Sequence, residues 1–193
     1  MKLPAYVLAG GLSRRMGQDK AALRLDGRAL PMAAQVAAVM ADAGCGPVSV
    51  VGRQAGLQQL GLPVVPDPRG VDHHPLWGVV AALRHAAGLG ARSALLAPCD
   101  LPDLDVDTVM RLAGTSAPAV GETSERLQPL FAHMPVSWLD RVHAFAKDGR
   151  SVRRLWTTAP VPIARIPVHA DIVRDLDSPE DVAEWTQRRT RGR

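Results

Sequence analysis

Short apolar runs alternate with segments of helical periodicity along the first half of the chain. The runs at residues 5–9, 47–52 and 93–100 are bounded by proline, glycine or an acidic residue, which is typical of buried strands. Residues 32–40 and 76–89 instead repeat apolar side chains at the spacing of a helix. Strands that alternate with helices indicate parallel strands joined by helical crossovers. The sequence therefore predicts an α/β domain, a Rossmann-like three-layer sandwich whose sheet is mostly parallel.

The second half of the chain is less regular but contains the same kinds of element. Its pattern predicts strands at residues 117–122, 126–134 and 161–168 and a helix at 136–147. A last helix is predicted to begin with a capping box, in which Ser178 precedes Pro179 and Asp181. The length of 193 residues suits one domain, which we assign to residues 1–187. The basic run 188–193 is expected to be a disordered tail.

Charge and cysteine content limit the classes of partner. A formal net charge of +4 permits ligands that carry phosphate but does not demand nucleic acid, and we expect no nucleic-acid partner. Cys45 and Cys99 lie far apart and form no C-x-x-C pair, so the sequence supports neither a zinc site nor a redox motif. A reduced, cytoplasmic chain is the simplest interpretation. No apolar run is long enough to span a bilayer, and we expect no membrane partner.

The segment LAGGLSRRMGQDK, residues 8–20, places glycines and cations directly after the first predicted strand. Glycine lets the backbone approach a ligand closely and direct its N–H groups at phosphate oxygens. Arg14, Arg15 and Lys20 would add positive charge for a triphosphate or a departing pyrophosphate. The segment matches neither the Walker A pattern nor the dinucleotide G-x-G-x-x-G pattern. From residue types alone, a glycine-rich turn whose arginines face water stays an alternative.

Asp100 closes the apolar run 93–100. A carboxylate at the carboxyl end of a buried strand lies at the edge where open α/β sheets bind ligands. Mg²⁺ prefers one or two carboxylates together with phosphate oxygens and waters. The alternative is that Asp100 only forms a turn with Pro102. The nearby phosphate-binding pattern favours Asp100 as a ligand of Mg²⁺.

The opening segment closely resembles the signature L-A-G-G-x-S-x-R-M-G-x-D-K of the molybdenum cofactor guanylyltransferases, a branch of the nucleotidyltransferases. Four further segments resemble motifs of that family in the expected order: HPLWG (74–78), APCDLP (97–102), RLQPLFA (126–132) and DLDSPEDV (175–182). Their family counterparts are G-P-L-x-G, the metal motif C-D-x-P, R-x-x-P-L-x-A and N-x-N-T-P-E-D-L. The resemblance covers nearly the whole chain and implies the nucleotidyltransferase fold.

The resemblance also implies a set of site residues. The residues expected to bind the nucleotide are Leu8, Ala9, Gly10, Gly11, Lys20, Gly52, Asp67 and Asp100. Among these, Lys20 and Asp100 are also catalytic candidates together with Arg15, and Asp100 would hold Mg²⁺. Gly52 stands where the family often has an asparagine, which removes one side-chain contact with the nucleotide. Arg53 is a candidate to replace that contact.

The reaction implied by the resemblance is transfer of GMP from GTP to molybdenum-molybdopterin, with release of pyrophosphate. The terminal phosphate of molybdopterin is already anionic near neutral pH, so its attack on the α-phosphorus does not require a general base. A recipient molybdoenzyme or its chaperone is a further candidate partner. Two alternatives remain open: a relative that uses CTP or a sugar-phosphate acceptor, and a non-catalytic adaptor that binds nucleotide or cofactor.

Two groups of charged residues leave their roles open. Asp175 and Asp177 replace two asparagines of the family, and either could add a metal carboxylate or serve only the structure. Arg150, Arg153 and Arg154 either face solvent on a helix or help to hold the pterin phosphate.

Overall fold

Seven strands form one sheet within the part of the chain that the structure describes. The computed structural model describes residues 2–10, 20–53, 55–67 and 74–191. The strands are β1 (Ala5–Leu8), β2 (Val48–Gly52), β3 (Val64–Pro66), β4 (Ser93–Pro98), β5 (Ala119–Glu122), β6 (Leu127–Pro135) and β7 (Ala164–Pro167). Their order across the sheet is β3-β2-β1-β4-β6-β5-β7.

Most of the strand pairs are parallel. Strand β1 pairs in parallel with β2 and with β4, strand β2 with β3, and strand β5 with β7. Strand β6 runs antiparallel to both of its neighbours, β4 and β5. The prediction of a mostly parallel sheet is confirmed, and β6 supplies the antiparallel component. Because β1 lies between β2 and β4, the loop that follows it emerges near the middle of the sheet edge.

Helices cover most of the predicted segments 32–40, 76–89 and 136–147 and follow the predicted cap at Ser178, and two more helices lie at 106–113 and 152–157. They are α1 (Met32–Asp42), α2 (Leu76–Gly88), α3 (Val106–Ala113), α4 (Leu139–Lys147), α5 (Val152–Thr157) and α6 (Pro179–Arg191). Short 3₁₀ turns cover Lys20–Ala22, Ala55–Leu60 and Val136–Trp138. Among the described residues, no helix is both long and apolar enough to cross a membrane.

Two apolar cores lie on opposite faces of the sheet. Successive side chains of a strand point to opposite faces, so Tyr6 packs with α2 and α4 on one side while Ala5 and Val7 pack with α1 on the other. Strand β4 divides in the same way, with Leu96 in the first core and Leu95 in the second. Covering both faces buries most residues of the central strands. This arrangement is the expected three-layer sandwich.

Helix α6 corrects the prediction for the C-terminal residues. The helix continues to Arg191, so residues 188–191 are helical and not the disordered tail that the sequence suggested. The indole Nε1 of Trp185 donates to Asp103 Oδ2 at 2.6 Å, and Arg189 lies over the Trp185 ring and pairs with Asp103. These contacts fix the helix to the loop after β4. The predicted capping box is present, because Ser178 Oγ accepts from the Asp181 amide and the Asp181 carboxylate accepts from the Ser178 amide.

His133 on β6 is a buried histidine that joins the sheet to the loop after α3. Its Nδ1 lies 2.8 Å from the Thr115 carbonyl oxygen and its Nε2 lies 2.8 Å from Ser93 Oγ. A carbonyl oxygen can only accept, so Nδ1 carries the proton and Nε2 of the neutral ring accepts from the Ser93 hydroxyl. Burial lowers the pKa of His133, although the backbone hydrogen bonds oppose that shift. The folded protein therefore favours the neutral ring.

Acidification should destabilise the wild-type fold more than the fold of a His133→Gln variant. A histidine pKa that is lower in the folded than in the unfolded state contributes stability above about pH 6.5, and that contribution is lost as the pH falls below it. Urea unfolding at about pH 7.5 and about pH 5.5 measures the difference. His169→Gln, at an exposed position, is the control and should keep the wild-type pH response. Equal pH responses in wild type and His133→Gln would contradict a neutral His133.

Candidate functional site

The carboxyl ends of four neighbouring parallel strands meet at one edge of the sheet. In the register of the sheet, Leu8 lies opposite Val51 and Pro98, and Gly52 lies opposite Pro66. The residues that follow β1, β2, β3 and β4 therefore lie side by side. Ligands of open α/β sheets bind in the crevice outside such an edge. The topology brings together the predicted positions at Gly10, Gly52, Asp67 and Asp100, with Arg53 among them.

Backbone hydrogen bonds extend the sheet by one residue past β1. The Ala9 amide donates to the Val51 carbonyl at 2.8 Å, and the Cys99 amide donates to the Leu8 carbonyl at 3.1 Å. Leu8 and Ala9 are thus hydrogen-bonded to the neighbouring strands on both sides of β1. Their predicted role at the site is compatible with this position, because they hold Gly10 at the edge.

Gly10 stands against a buried carboxylate. A Cβ atom at Gly10 would lie only 3.1 Å from Asp67 Oδ2. The same oxygen lies 3.5 Å from Nε of Arg53, and both of these side chains are largely buried. The Gly52 carbonyl accepts from the Asp67 amide at 3.4 Å. Gly52 therefore acts through its backbone here, and Arg53 occupies the place next to Asp67.

Lys20 links the end of β4 to the segment before α6. It begins the first 3₁₀ turn, and its Nζ lies 3.5 Å from Asp100 Oδ2 and 2.5 Å from Asp177 Oδ1. The side chains of Lys20 and Asp100 are only 13% and 18% exposed, whereas that of Asp177 is 52% exposed. The two catalytic candidates that the structure describes are therefore in contact. The remaining predicted residues, Gly11 and Arg15, lie outside the described residues.

The electrostatics of this network favour an added cation. Burial raises the pKa of Asp100, and the carboxylates of Asp175 and Asp177 raise it further, whereas Lys20 lowers it. Burial acts to lower the pKa of Lys20, but the hydrogen bond to Asp177 and the charges of Asp100 and Asp177 outweigh it, so the net shift is upward. Lys20 therefore stays protonated. Counting only the residues that the structure describes in this network, Asp100 and Asp177 carry more negative charge than Lys20 balances, and a divalent ion beside them would relieve that excess.

The segment 175–177 runs directly beside Asp100. Leu176 is fully buried, and its amide donates to the Asp100 carbonyl oxygen at 3.3 Å. On one side of Leu176 the carboxylate of Asp177 meets Lys20, and on the other side Asp175 Oδ1 lies 3.4 Å from Nη2 of Arg126. The two aspartates that replace the asparagines of the family are thus each paired with a cation. The sequence does not predict either pair, because no local spacing connects them. Lys20 and Asp177 are 157 positions apart, and Arg126 and Asp175 are 49 positions apart.

A cleft of about 310 Å³ lies beside the first residues of β6, which is on the other side of β4 from β1, β2 and β3. It is lined by Pro98, Leu101, Arg126, Leu127, Gln128, Pro129, Leu130, Phe131, Arg153 and Asp175. Helix α5 forms part of its wall, because Trp156 is buried and its indole N–H donates to the Pro129 carbonyl at 2.9 Å. Of the three arginines considered from sequence, Arg153 lines this cleft. Arg150 instead pairs with Asp148 at 2.9 Å and lies over the Phe145 ring.

Within the described ranges, no group of three or more histidine, cysteine, aspartate or glutamate side chains could hold a metal ion. An ion with one or two protein carboxylates does not need such a group, since phosphate oxygens and waters complete its shell. The oxygen donor of Asp100, at a strand end beside Lys20, fits that kind of ion.

Comparisons with known proteins agree with the fold and with the family resemblance. A model of the MobA-like NTP transferase domain matches residues 5–162. The molybdenum cofactor guanylyltransferase of Rhodobacter capsulatus is 37% identical over 196 residues, which cover 97% of each chain. Relatives of the same name from other bacteria show similar identity.

Two solved structures show the same fold at low sequence identity. Molybdopterin-guanine dinucleotide biosynthesis protein A from Archaeoglobus fulgidus has a TM-score of 0.74 and 18% identity, over 98% of this chain and 100% of that one. A Mycobacterium tuberculosis protein in complex with manganese has a TM-score of 0.70 and 18% identity, over 97% of this chain and 99% of that one. On the match of its domain and of its full-length relatives, the chain belongs to the MobA-like NTP transferase family.

Proposed function

We propose that this protein is a molybdenum cofactor guanylyltransferase, which transfers GMP from GTP to molybdenum-molybdopterin and releases pyrophosphate. The observation that carries the proposal is the position of the Lys20–Asp100 pair. The pair lies at the end of β4, which stands in the sheet between the strands that lead to Gly10 and Asp67 and strand β6, whose first residues line the cleft with Arg126 and Arg153. A transferase needs two substrates to meet at one charged point. Relatives that bear this enzyme name over nearly the full chain support the same activity.

The strand edge is the proposed nucleotide subsite. Leu8 and Ala9 hold Gly10 at the edge. Because Gly10 has no side chain, a ligand can approach its backbone although Asp67 lies close by. The Gly52 carbonyl and Arg53 hold Asp67 in place. The family pattern assigns phosphate contacts to Gly11 and Arg15, which lie outside the described residues.

Asp100 is the proposed ligand of a divalent ion. The family resemblance and the manganese complex of a protein with the same fold support a divalent metal, and we propose Mg²⁺ as the working ion. The carboxylate fits it by its oxygen donor, its place at the strand end and the excess negative charge around it. When bound, the ion supplies positive charge that neutralises phosphate oxygens.

The remaining chemistry falls to alignment and charge. In the reaction, an oxygen of the acceptor's terminal phosphate forms a bond to the α-phosphorus of GTP. The bond from that phosphorus to the bridging oxygen breaks, and pyrophosphate leaves with the electron pair. The pKa of Lys20 is raised, so its ammonium group stays protonated and can stabilise the charge of the departing pyrophosphate. Arg126 and Arg153 in the cleft are positioned to bind the acceptor's phosphate and orient it.

The cellular setting is also part of the proposal. Cys45 and Cys99 are both buried thiols, a state that the reducing cytoplasm maintains. The completed cofactor would pass from the protein to a recipient molybdoenzyme or its chaperone.

The function is tested by incubating the purified protein with Mg²⁺, molybdenum-molybdopterin and one of GTP, CTP, ATP or UTP. We expect pyrophosphate and the dinucleotide product to form with GTP and with none of the other three nucleotides. Product formed from CTP instead would contradict the base assignment and support a cytidylyl-transferring relative. Thermal stabilisation by nucleotide without pyrophosphate release would contradict the transferase and support an adaptor.

Asp100→Asn should reduce GMP transfer by at least about 100-fold while the fold stays intact. The amide keeps the size of the side chain but loses the charge that would hold the metal. Steady-state turnover with Mg²⁺ and circular dichroism measure the two effects. Asp107→Asn, an exposed position on α3, is the matched control and should behave as wild type. Near-normal turnover in Asp100→Asn would refute the metal assignment.

Gly10→Ala should raise the Kd for GTP several-fold. The added methyl group would lie 3.1 Å from Asp67 Oδ2, and Arg53 and the Gly52 carbonyl limit how far Asp67 can retreat. Isothermal titration calorimetry measures the Kd. Gly88→Ala is the control, because a Cβ there meets nothing within 4 Å. An unchanged Kd in Gly10→Ala would show that nucleotide does not occupy this edge.

A further inference from the structure

The segment 175–177 contacts both proposed subsites through side chains of the same charge. Asp177 Oδ1 lies 2.5 Å from Nζ of Lys20, and Asp175 Oδ1 lies 3.4 Å from Nη2 of Arg126, which lines the cleft. Lys20 is a cation that phosphates would meet in the nucleotide subsite, and Arg126 is one that they would meet in the cleft. Each of these two cations is paired with a carboxylate, which carries the same sign of charge as a phosphate oxygen.

The backbone of this segment is held in place, whereas its two carboxylates are accessible. Leu176 is fully buried with Leu25, Met32 and Trp185, and its amide donates to the Asp100 carbonyl. In contrast, the side chains of Asp177 and Asp175 are 52% and 45% exposed. A rotation of either side chain can break its ion pair without moving the backbone. The two pairs can therefore open independently of each other.

We propose that Asp177 and Asp175 are displaceable counter-ions of the two subsites, and that they set how much negative charge a ligand needs in order to bind. The inference rests on the proposed function. Phosphates of the nucleotide replace Asp177 at Lys20, and the terminal phosphate of the acceptor replaces Asp175 at Arg126. Weakly charged ligands do not compete with a carboxylate already in contact with the cation. The two aspartates thus disfavour nucleosides and unphosphorylated pterins.

The pairs differ in strength, so the two effects should differ in size. Lys20 is mostly buried and its pair with Asp177 is short, whereas Arg126 is 59% exposed and its pair with Asp175 is longer. Exposed pairs are screened by water and salt and are individually weak. The penalty that Asp177 imposes on nucleotide binding should therefore exceed the penalty that Asp175 imposes on the acceptor.

Asparagine substitutions separate the charge of each residue from its size. The capping box uses the backbone amide of Asp177 and not its side chain, so Asp177→Asn leaves the start of α6 intact. Asp171→Asn is the matched control, since it removes an exposed carboxylate that pairs with Arg174 at 3.1 Å in the same loop and outside both subsites.

The experiment measures the Kd for GTP by calorimetry with EDTA and with Mg²⁺, and the KM for molybdenum-molybdopterin in turnover. We expect Asp177→Asn to tighten metal-free GTP binding about threefold or more and to leave the KM for the acceptor unchanged. Asp175→Asn should lower that KM by a smaller factor and should change the Kd for GTP less than Asp177→Asn does. Both differences should shrink at high salt.

Three outcomes would overturn the inference. Weaker or unchanged metal-free GTP binding in Asp177→Asn would exclude a displaced counter-ion, and weaker binding only with Mg²⁺ would make Asp177 a metal ligand instead. Equal effects of both variants on both substrates would exclude independent pairs. Failure of the wild type to bind GTP under any of these conditions would contradict the proposed function itself, which distinguishes the two failures.

Discussion

The parallel pairing of β1 with both β2 and β4 is the constraint on which the site depends. Parallel strands end at the same edge, so the residues after β1, β2, β3 and β4 become neighbours although they are far apart in sequence. The pairing requires helical crossovers, and these crossovers bury the strands on both faces. The apolar runs that form the core are thus also what places Gly10, Asp67 and Asp100 together. A change that shifted β1 by one residue would turn its side chains to the wrong faces and break the site at the same time.

Charge balance at this edge explains the chemistry better than any single residue does. Lys20 is in contact with Asp100 and Asp177, and Asp175 adds to the negative field around Asp100. A site of this kind does not need a general base when the attacking group is an anionic phosphate. It needs cationic groups that stay in contact with the phosphates as the bonds change. It also needs the two substrates to approach from opposite sides. In the proposed mechanism, the strand edge and the cleft would provide those two approaches.

The sequence predicts the elements well because their signals are local. The alternation of apolar runs with helical repeats predicts β1, β4 and α2, and the capping box at Ser178 predicts where α6 begins. The prediction of a disordered tail was wrong for residues 188–191, because contacts of Trp185 and Arg189 with Asp103 hold the helix that runs into this basic segment. The antiparallel direction of β6 has no local signal either, since it follows from pairing with β4 and β5.

The candidate site was predictable in part for the same reason. Asp67 and Asp100 follow apolar runs, and their place at strand ends follows from the fold class. The partner of Lys20 was not predictable, because Asp177 reaches it only through the packing of Leu176 and α6 against the rest of the domain. Gly52 cannot contact the nucleotide through a side chain as an asparagine would. Its carbonyl instead accepts a hydrogen bond from the Asp67 amide.

A crystal structure of the protein with GTP and Mg²⁺ would show where nucleotide and metal bind. We expect the phosphates beside Lys20, the metal in contact with Asp100, and the nucleoside along the edge formed by Gly10, Gly52 and Asp67. We also expect the cleft beside Arg126 and Arg153 to stay open for the acceptor. A nucleotide bound in that cleft, or a metal held away from Asp100, would contradict the assignment of the two subsites.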